Sequence, residues 1–215
     1  MTVRGRLLGT ALGVACTLAL AGCGSASQPS PPAGVDELVV PTPSPDPSDF
    51  VAKVDNPWFP LAVGSSQRYV VADTAGNHDL TVSVAPGPTV AGVATTARTS
   101  RESGRRVTDW YAQDEDGNVW WFGRAGQWQA GTDGAEAGLA MPATPRVGDG
   151  YRTAFAPGVV EDTVRVVALD EDQLVVEERS DLRPGVADQR TFERGTGLVQ
   201  EDRTEGSYRV VRLVG

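Results

Sequence analysis

From Phe50 onward, apolar and polar positions alternate in short runs such as Leu80-Thr81-Val82-Ser83-Val84, Thr163-Val164-Arg165-Val166 and Tyr208-Arg209-Val210. A period of two sends successive side chains to opposite faces, so each run predicts a strand with one buried face. No stretch sustains the 3.6-residue period of an amphipathic helix, and the one helical turn the pattern admits lies at residues 135–140. Between the runs, Gly76-Asn77, Asp116-Gly117, Asp170-Glu171-Asp172 and Glu205-Gly206 supply the positive φ or side-chain caps that tight hairpins need. About ten strands result. The predicted fold class is all-β, a single domain over residues 50–215 built as a curved antiparallel sheet, a barrel or a sandwich.

The pattern also repeats. Leu61-Ala-Val-Gly64-Ser-Ser-Gln67-Arg68 overlays Arg146-Val-Gly148-Asp-Gly-Tyr151-Arg152, and Asp79-Leu-Thr81-Val-Ser-Val84 overlays Asp162-Thr163-Val-Arg-Val166. Asp116-Gly117-Asn-Val119 then overlays Thr196-Gly197-Leu-Val199 in the same order. Three matches in register suggest a duplicated unit with halves at residues 59–124 and 141–215, against the alternative that hairpin composition simply recurs.

Residues 1–22 follow a different pattern. Arg4 and Arg6 precede an apolar run over residues 7–20, the layout of an export signal and too short for a permanent membrane span. The run ends in Leu20-Ala21-Gly22-Cys23, which resembles the bacterial lipobox. That resemblance implies a diacylglyceryl group on the Cys23 thiol and places the protein at the cell envelope, on the outer face of the cell membrane. The membrane is then a partner through the lipid alone. Residues 23–49 hold the lipidated cysteine and a tether with seven prolines, a composition that favours extended polyproline chain.

Composition narrows the chemistry. A net charge of −9 disfavours a nucleic-acid surface. With one His and two Cys, one of them (Cys16) inside the export signal, neither a His/Cys metal cage nor a disulfide scaffold is available, and no cofactor is expected beyond the lipid. Any Ser-His-Asp arrangement would need His78, beside a predicted turn. Glu161-Asp162 and Asp114-Asp116 offer paired carboxylates for glycoside hydrolysis, but adjacent strand residues face opposite ways. Asp114-Glu115-Asp116-Gly117-Asn118 looks like the front of a calcium loop, yet Ala112 and Gly123 stand where the closing ligands belong, so a hairpin turn explains the same residues.

The distinctive chemistry is aromatic. Trp110, Tyr111, Trp120, Trp121 and Trp128 cluster around one predicted hairpin, whose two faces must each carry large rings. One face is core; the other packs on a second layer, such as the Trp58-Phe59 segment, or offers a stacking surface, which makes these five residues the candidate ligand-binding set.

Asp55-Asn56-Pro57-Trp58-Phe59-Pro60-Leu61, Tyr111-Ala112-Gln113-Asp114, Gly117-Asn118-Val119-Trp120, Met141-Pro142 and Glu161-Asp162 together resemble a family of secreted bacterial proteins and lipoproteins. Gln67 departs from that family's pattern, which carries tryptophan there. The resemblance implies an envelope protein and names no activity, catalytic residue or ligand. The reading is therefore a membrane-anchored, non-enzymatic lipoprotein binding a hydrophobic ligand or lipid in a β cup. The alternatives are a module whose surface binds cell-wall glycan or protein, and a carboxylate-based glycoside hydrolase. A void of several hundred cubic ångströms favours the cup, and a filled core with exposed tryptophans in a row favours the surface module.

Overall fold

Residues 46–214, which the computed structural model describes, turn the alternating pattern into one antiparallel sheet of 14 strands. The expectations for the export signal, for Cys23 and for the tether up to residue 45 lie outside the described residues. Among the described residues no helix is long and apolar enough to cross a membrane.

Two meanders make up the sheet. The first is β2 (Ser66–Asp73), β3 (Gly76–Val90), β4 (Val93–Glu102), β5 (Arg105–Asp114) and β6 (Val119–Arg124). The second is β9 (Gly150–Ala156), β10 (Val160–Leu169), β11 (Gln173–Ser180), β12 (Ala187–Glu193), β13 (Gly197–Glu205) and β14 (Arg209–Leu213). Pairing of β14 with β2 joins them, with Val211 opposite Val71. Short strands complete the set: β1 (Phe50–Val51) lies on β5, while β7 (Trp128–Gln129) and β8 (Gly138–Met141) lie on β6. These short pieces account for the excess over the expected strand number.

At the remaining seam the sheet curls until its ends almost meet, giving a nearly closed barrel. The Glu136 amide donates to the Phe155 carbonyl at 2.8 Å. A Cβ on Gly138 would lie 2.3 Å from the Thr153 carbonyl, so only glycine lets β8 approach β9 this closely. The helical turn expected at residues 135–140 is thus a strand start, because the backbone there is taken up by sheet contacts on both sides.

All three repeat matches fall at equivalent places in the meanders: β2 with β9, β3 with β10, and the β5–β6 turn with the β12–β13 turn. Gly64 (φ 90°) donates to Val84 and Gly148 (φ 96°) donates to Val166, each at 2.9 Å. Val84 and Val166 return the bond to Ser65 and Asp149 at 3.0 and 2.8 Å. The same positive-φ turn therefore opens both halves, and glycine supplies it without the Cβ clash other residues would meet.

One end of the barrel is stoppered by residues 54–61, which place Trp58 and Leu61 in the interior core. Two buried amides hold this plug. Gln113 Oε1 accepts the backbone amides of Asp55 and Asn56 at 2.9 and 2.8 Å, and its Nε2 donates to Asp55 Oδ1 at 2.8 Å. Asn56 Nδ2 donates to the carbonyls of Gly117 and Pro142 at 2.9 and 3.1 Å, while its Oδ1 accepts from Trp58 N. Segments around Asn56, Gln113, Gly117 and Pro142, far apart in the sequence, thus converge on one structural lock. Truncating Asn56 strands carbonyls and an amide in a dry site, each unmet group costing about 1–3 kcal/mol. Asn56→Ala should therefore lower unfolding free energy in urea by roughly 2–4 kcal/mol, and a loss below about 0.5 kcal/mol would show that the plug is not held this way.

Candidate functional site

Inward-facing side chains leave a cavity of about 350 Å³ inside the barrel. Its floor, at the plugged end, is aromatic and aliphatic. Phe59 from the plug stands 5.1 Å from the Tyr111 ring and 6.3 Å from Phe192, and Tyr111 stacks on Trp121 at 6.2 Å. Met141, Tyr151, Val164 and Val176 complete it. Burial pushes the Tyr111 and Tyr151 phenols up, so both enter the cavity as neutral hydroxyls at pH 7.

Above the floor the wall is charged. Strand register sets Arg98, Asp109 and Arg124 in a row across β4, β5 and β6, with Arg124 Nε on Asp109 Oδ1 at 2.6 Å. Burial opposes the charge on Arg124 most strongly, but the Asp109 hydrogen bond and the charges of Asp109 and the nearby Asp162 together outweigh it. On the other wall, Arg190 bonds both Glu178 and Glu201, and Arg203 holds Asp188 at 2.8 and 3.2 Å. Burial pushes the Glu178 carboxyl above the usual carboxylate range, against the pull of Arg190. Asp162 projects inward from β10, is 7 % exposed, and forms no ion pair among the described residues. Its neighbour Glu161 faces outward and accepts from Gly158 N at 2.9 Å, as strand alternation requires.

Near the mouth, His78 Nε2 lies 2.9 Å from Glu102 Oε1, and Arg209 grips both Glu102 oxygens at 2.7 and 2.9 Å. Asp73, His78 and Glu102 form a group with possible metal-ligand atoms within 4.8 Å of one another. Arg209 already engages both Glu102 oxygens, and Asp73 Oδ1 accepts the Ala75 amide at 2.7 Å. Sequence alone did not single out this ring of charge, because arginines and glutamates alternating along β11 to β14 look like a solvated face.

Of the five aromatic candidates, Tyr111 and Trp121 line the cavity. Trp110 and Trp120 face outward and pack with Phe50, Phe122 and Ala112 into a second small core, with Trp120 Nε1 donating to Asp114 at 2.7 Å. Trp128 meets Trp121 edge-on at 5.1 Å and, with Trp110, borders a second hollow of about 360 Å³ by the seam. Both faces of the hairpin are therefore packed. The Asp114 carboxylate also takes Asn118 N and Nδ2 at 2.8 and 3.0 Å, while Gly117 adopts φ 91°, which is the hairpin-turn account of the calcium-like segment.

The Arg209 hydrogen bonds pull the Glu102 carboxyl down to about 2, and the Glu102 hydrogen bond pushes the His78 imidazole above its ordinary 6.5. A lowered folded value means that Glu102 stabilises fully above 4.5 and ceases to do so as pH falls toward 2. For His78 the sign reverses: its contribution is full below 6.5 and fades as pH rises through the raised value. Urea unfolding of wild type and Glu102→Gln should differ most between about pH 4.5 and 6.5 and converge near pH 2. An NMR titration of His78 should move back toward 6.5 in the variant. Parallel stability curves and an unmoved imidazole would remove this pair from the account of the mouth.

Comparison of the chain with family models, with curated proteins and with solved structures finds no match, so the chemistry of the cup rests on its own side chains.

Proposed function

We propose that this chain is a lipid-anchored, non-catalytic binding protein of the bacterial cell envelope, whose β cup holds a small ligand with a hydrophobic part. The observation that carries the reading is the cavity of about 350 Å³ above an aromatic floor. Close packing leaves few voids larger than a water in an ordinary interior, so a void this size that opens to solvent calls for an occupant. Trp58, Trp121 and Trp128 are buried and Trp110 and Trp120 are half-buried. That arrangement favours a cup over a surface that stacks sugars. The charged upper wall narrows the ligand further: a molecule apolar throughout would strip water from those groups without replacing it, so the fitting ligand is amphipathic.

An apolar fluorescent probe should saturate one site per chain. Ser100 sits half-buried in the mid-wall of the cavity, so Ser100→Trp should fill the space and abolish that signal while far-UV dichroism and the unfolding midpoint stay near wild type. Probe binding that survives in a folded Ser100→Trp protein, or no saturable site in wild type, would sink the cup.

For the anchor, intact-mass spectrometry of protein extracted from cells of its native type should show a chain that begins at Cys23 and carries added acyl mass. A mature chain with an unmodified Cys23 would remove the membrane from the proposal and leave the cup in place.

A further inference from the structure

The two walls of the cup carry opposite excess charge. On β4 to β6, Arg98, Arg105 and Arg124 stand against two carboxylates, Glu102 and Asp109. On β10 to β13, the carboxylates of Asp162, Glu178, Asp188 and Glu201 stand against two guanidiniums, Arg190 and Arg203. Arg209, 3.7 Å from Glu201, is committed to Glu102 by two shorter bonds. After every pairing, and apart from the exposed Arg105 and Arg183, Arg98 is left on one wall and Asp162 on the other, each without an ion pair among the described residues and each facing the cavity. Asp162 is more than nine-tenths buried. Its nearest cationic influence is Arg124, which is held by Asp109 at 2.6 Å, so the Asp162 carboxylate faces the cavity with no cation bonded to it among the described residues.

We propose that the cup takes a small zwitterion of the α-amino-acid type, with its ammonium beside Asp162, its carboxylate on Arg98 and its apolar side chain on the floor formed by Phe59, Tyr111, Trp121 and Phe192. This rests on the cup reading and deepens it. A carboxylate and an ammonium on one carbon form a short dipole, and a cavity with one positive and one negative wall orients such a dipole along its own field. A guanidinium is the side chain whose fork matches a carboxylate, and desolvation above an aromatic floor strengthens both contacts relative to water. The arm that remains is apolar, because the floor is mainly aromatic and aliphatic and its amide, Gln67, is already bonded to Tyr69 and the Thr196 carbonyl. Exposed Arg105 and Arg183 at the lip give the entrance a positive bias on a chain of net charge −9, which draws the carboxylate end inward.

Isothermal titration of the protein with L-leucine, L-phenylalanine and L-tryptophan tests this, with phenethylamine and 3-phenylpropionate as analogues that each lack one charged end. At least one amino acid should bind at one per chain, and either analogue should bind about tenfold or more weakly than phenylalanine. Asp162→Asn should erase the difference between phenylalanine and 3-phenylpropionate, and Arg98→Gln the difference between phenylalanine and phenethylamine. Failure of all three amino acids to bind overturns the proposal, as do analogues that match phenylalanine, or selectivity unchanged in both variants. The wild-type analogue series decides the matter even if a variant is unstable. A saturable apolar probe that no amino acid displaces would leave the cup standing and the zwitterion disproved, whereas a probe that finds no site counts against the cup itself.

Discussion

A sheet that curls into a barrel without filling it has to be closed at one end, and here the closure depends on two amide side chains. Gln113, on β5, caps the amides of Asp55 and Asn56, and Asn56 ties the plug to the turn at Gly117 and the carbonyl of Pro142. An amide both donates and accepts, so two such groups cross-link three chain segments without any net charge in a dry place. Pro57 and Trp58 form a turn closed by the Phe59 amide on the Asn56 carbonyl at 3.1 Å, which buries Trp58 in the core and leaves Phe59 against Tyr111 and Phe192. The floor of the cup is thus a consequence of the lock. Without it, the apolar interior would open at both ends.

The upper wall obeys a different constraint. Buried ion pairs repay the loss of water poorly, and a solid apolar core would be at least as stable. Their presence, linked from His78 through Glu102, Arg209, Glu201 and Arg190 to Glu178, is better explained by what they do to the space they surround. Charged groups on both walls keep a hydration demand that a collapsed, dry interior would leave partly unmet, and this opposes collapse of the barrel. Floor and wall therefore divide the labour: the aromatic plug supplies cohesion and the charged belt holds the void open.

Much of this architecture is legible in the sequence. Strand alternation, hairpin glycines and the two-part repeat lead to an all-β meander, and Gly64 and Gly148 open the two halves with the same turn, as their matched spacing suggests. Closure was not legible, because it depends on Gly138 meeting the Thr153 carbonyl, a contact with no local signature. The division of the aromatic cluster between the two faces is legible in the alternation, whereas which ring falls on the inner face is not. Tyr111 and Trp121 turn inward while Trp110 and Trp120 turn out onto Phe50 and Phe122, since a register that fixes one neighbour sends the next to the other face.

The interior charges were the least legible part, for a reason that applies to any small barrel. A strand with one face to solvent and one to a wet cavity is polar on both faces, and it loses the apolar rhythm by which buried positions are recognised. Along β12, Asp188 and Arg190 point in while Gln189 and Thr191 point out, and nothing in that string marks which face is inside. What does distinguish them is partnership across the sheet. Asp188 sits opposite Arg203 and Arg190 opposite Glu201, so acids and bases arrive in cross-strand neighbours, a pattern only the register reveals. Glu178, opposite Val164 and Asp188, reaches Arg190 diagonally, whereas Asp162, opposite Ala154 and Ser180, forms no ion pair among the described residues. A buried acid that faces a cavity without a bonded base is the position at which a cationic group could be matched at least cost to the rest of the network, because no existing ion pair has to break.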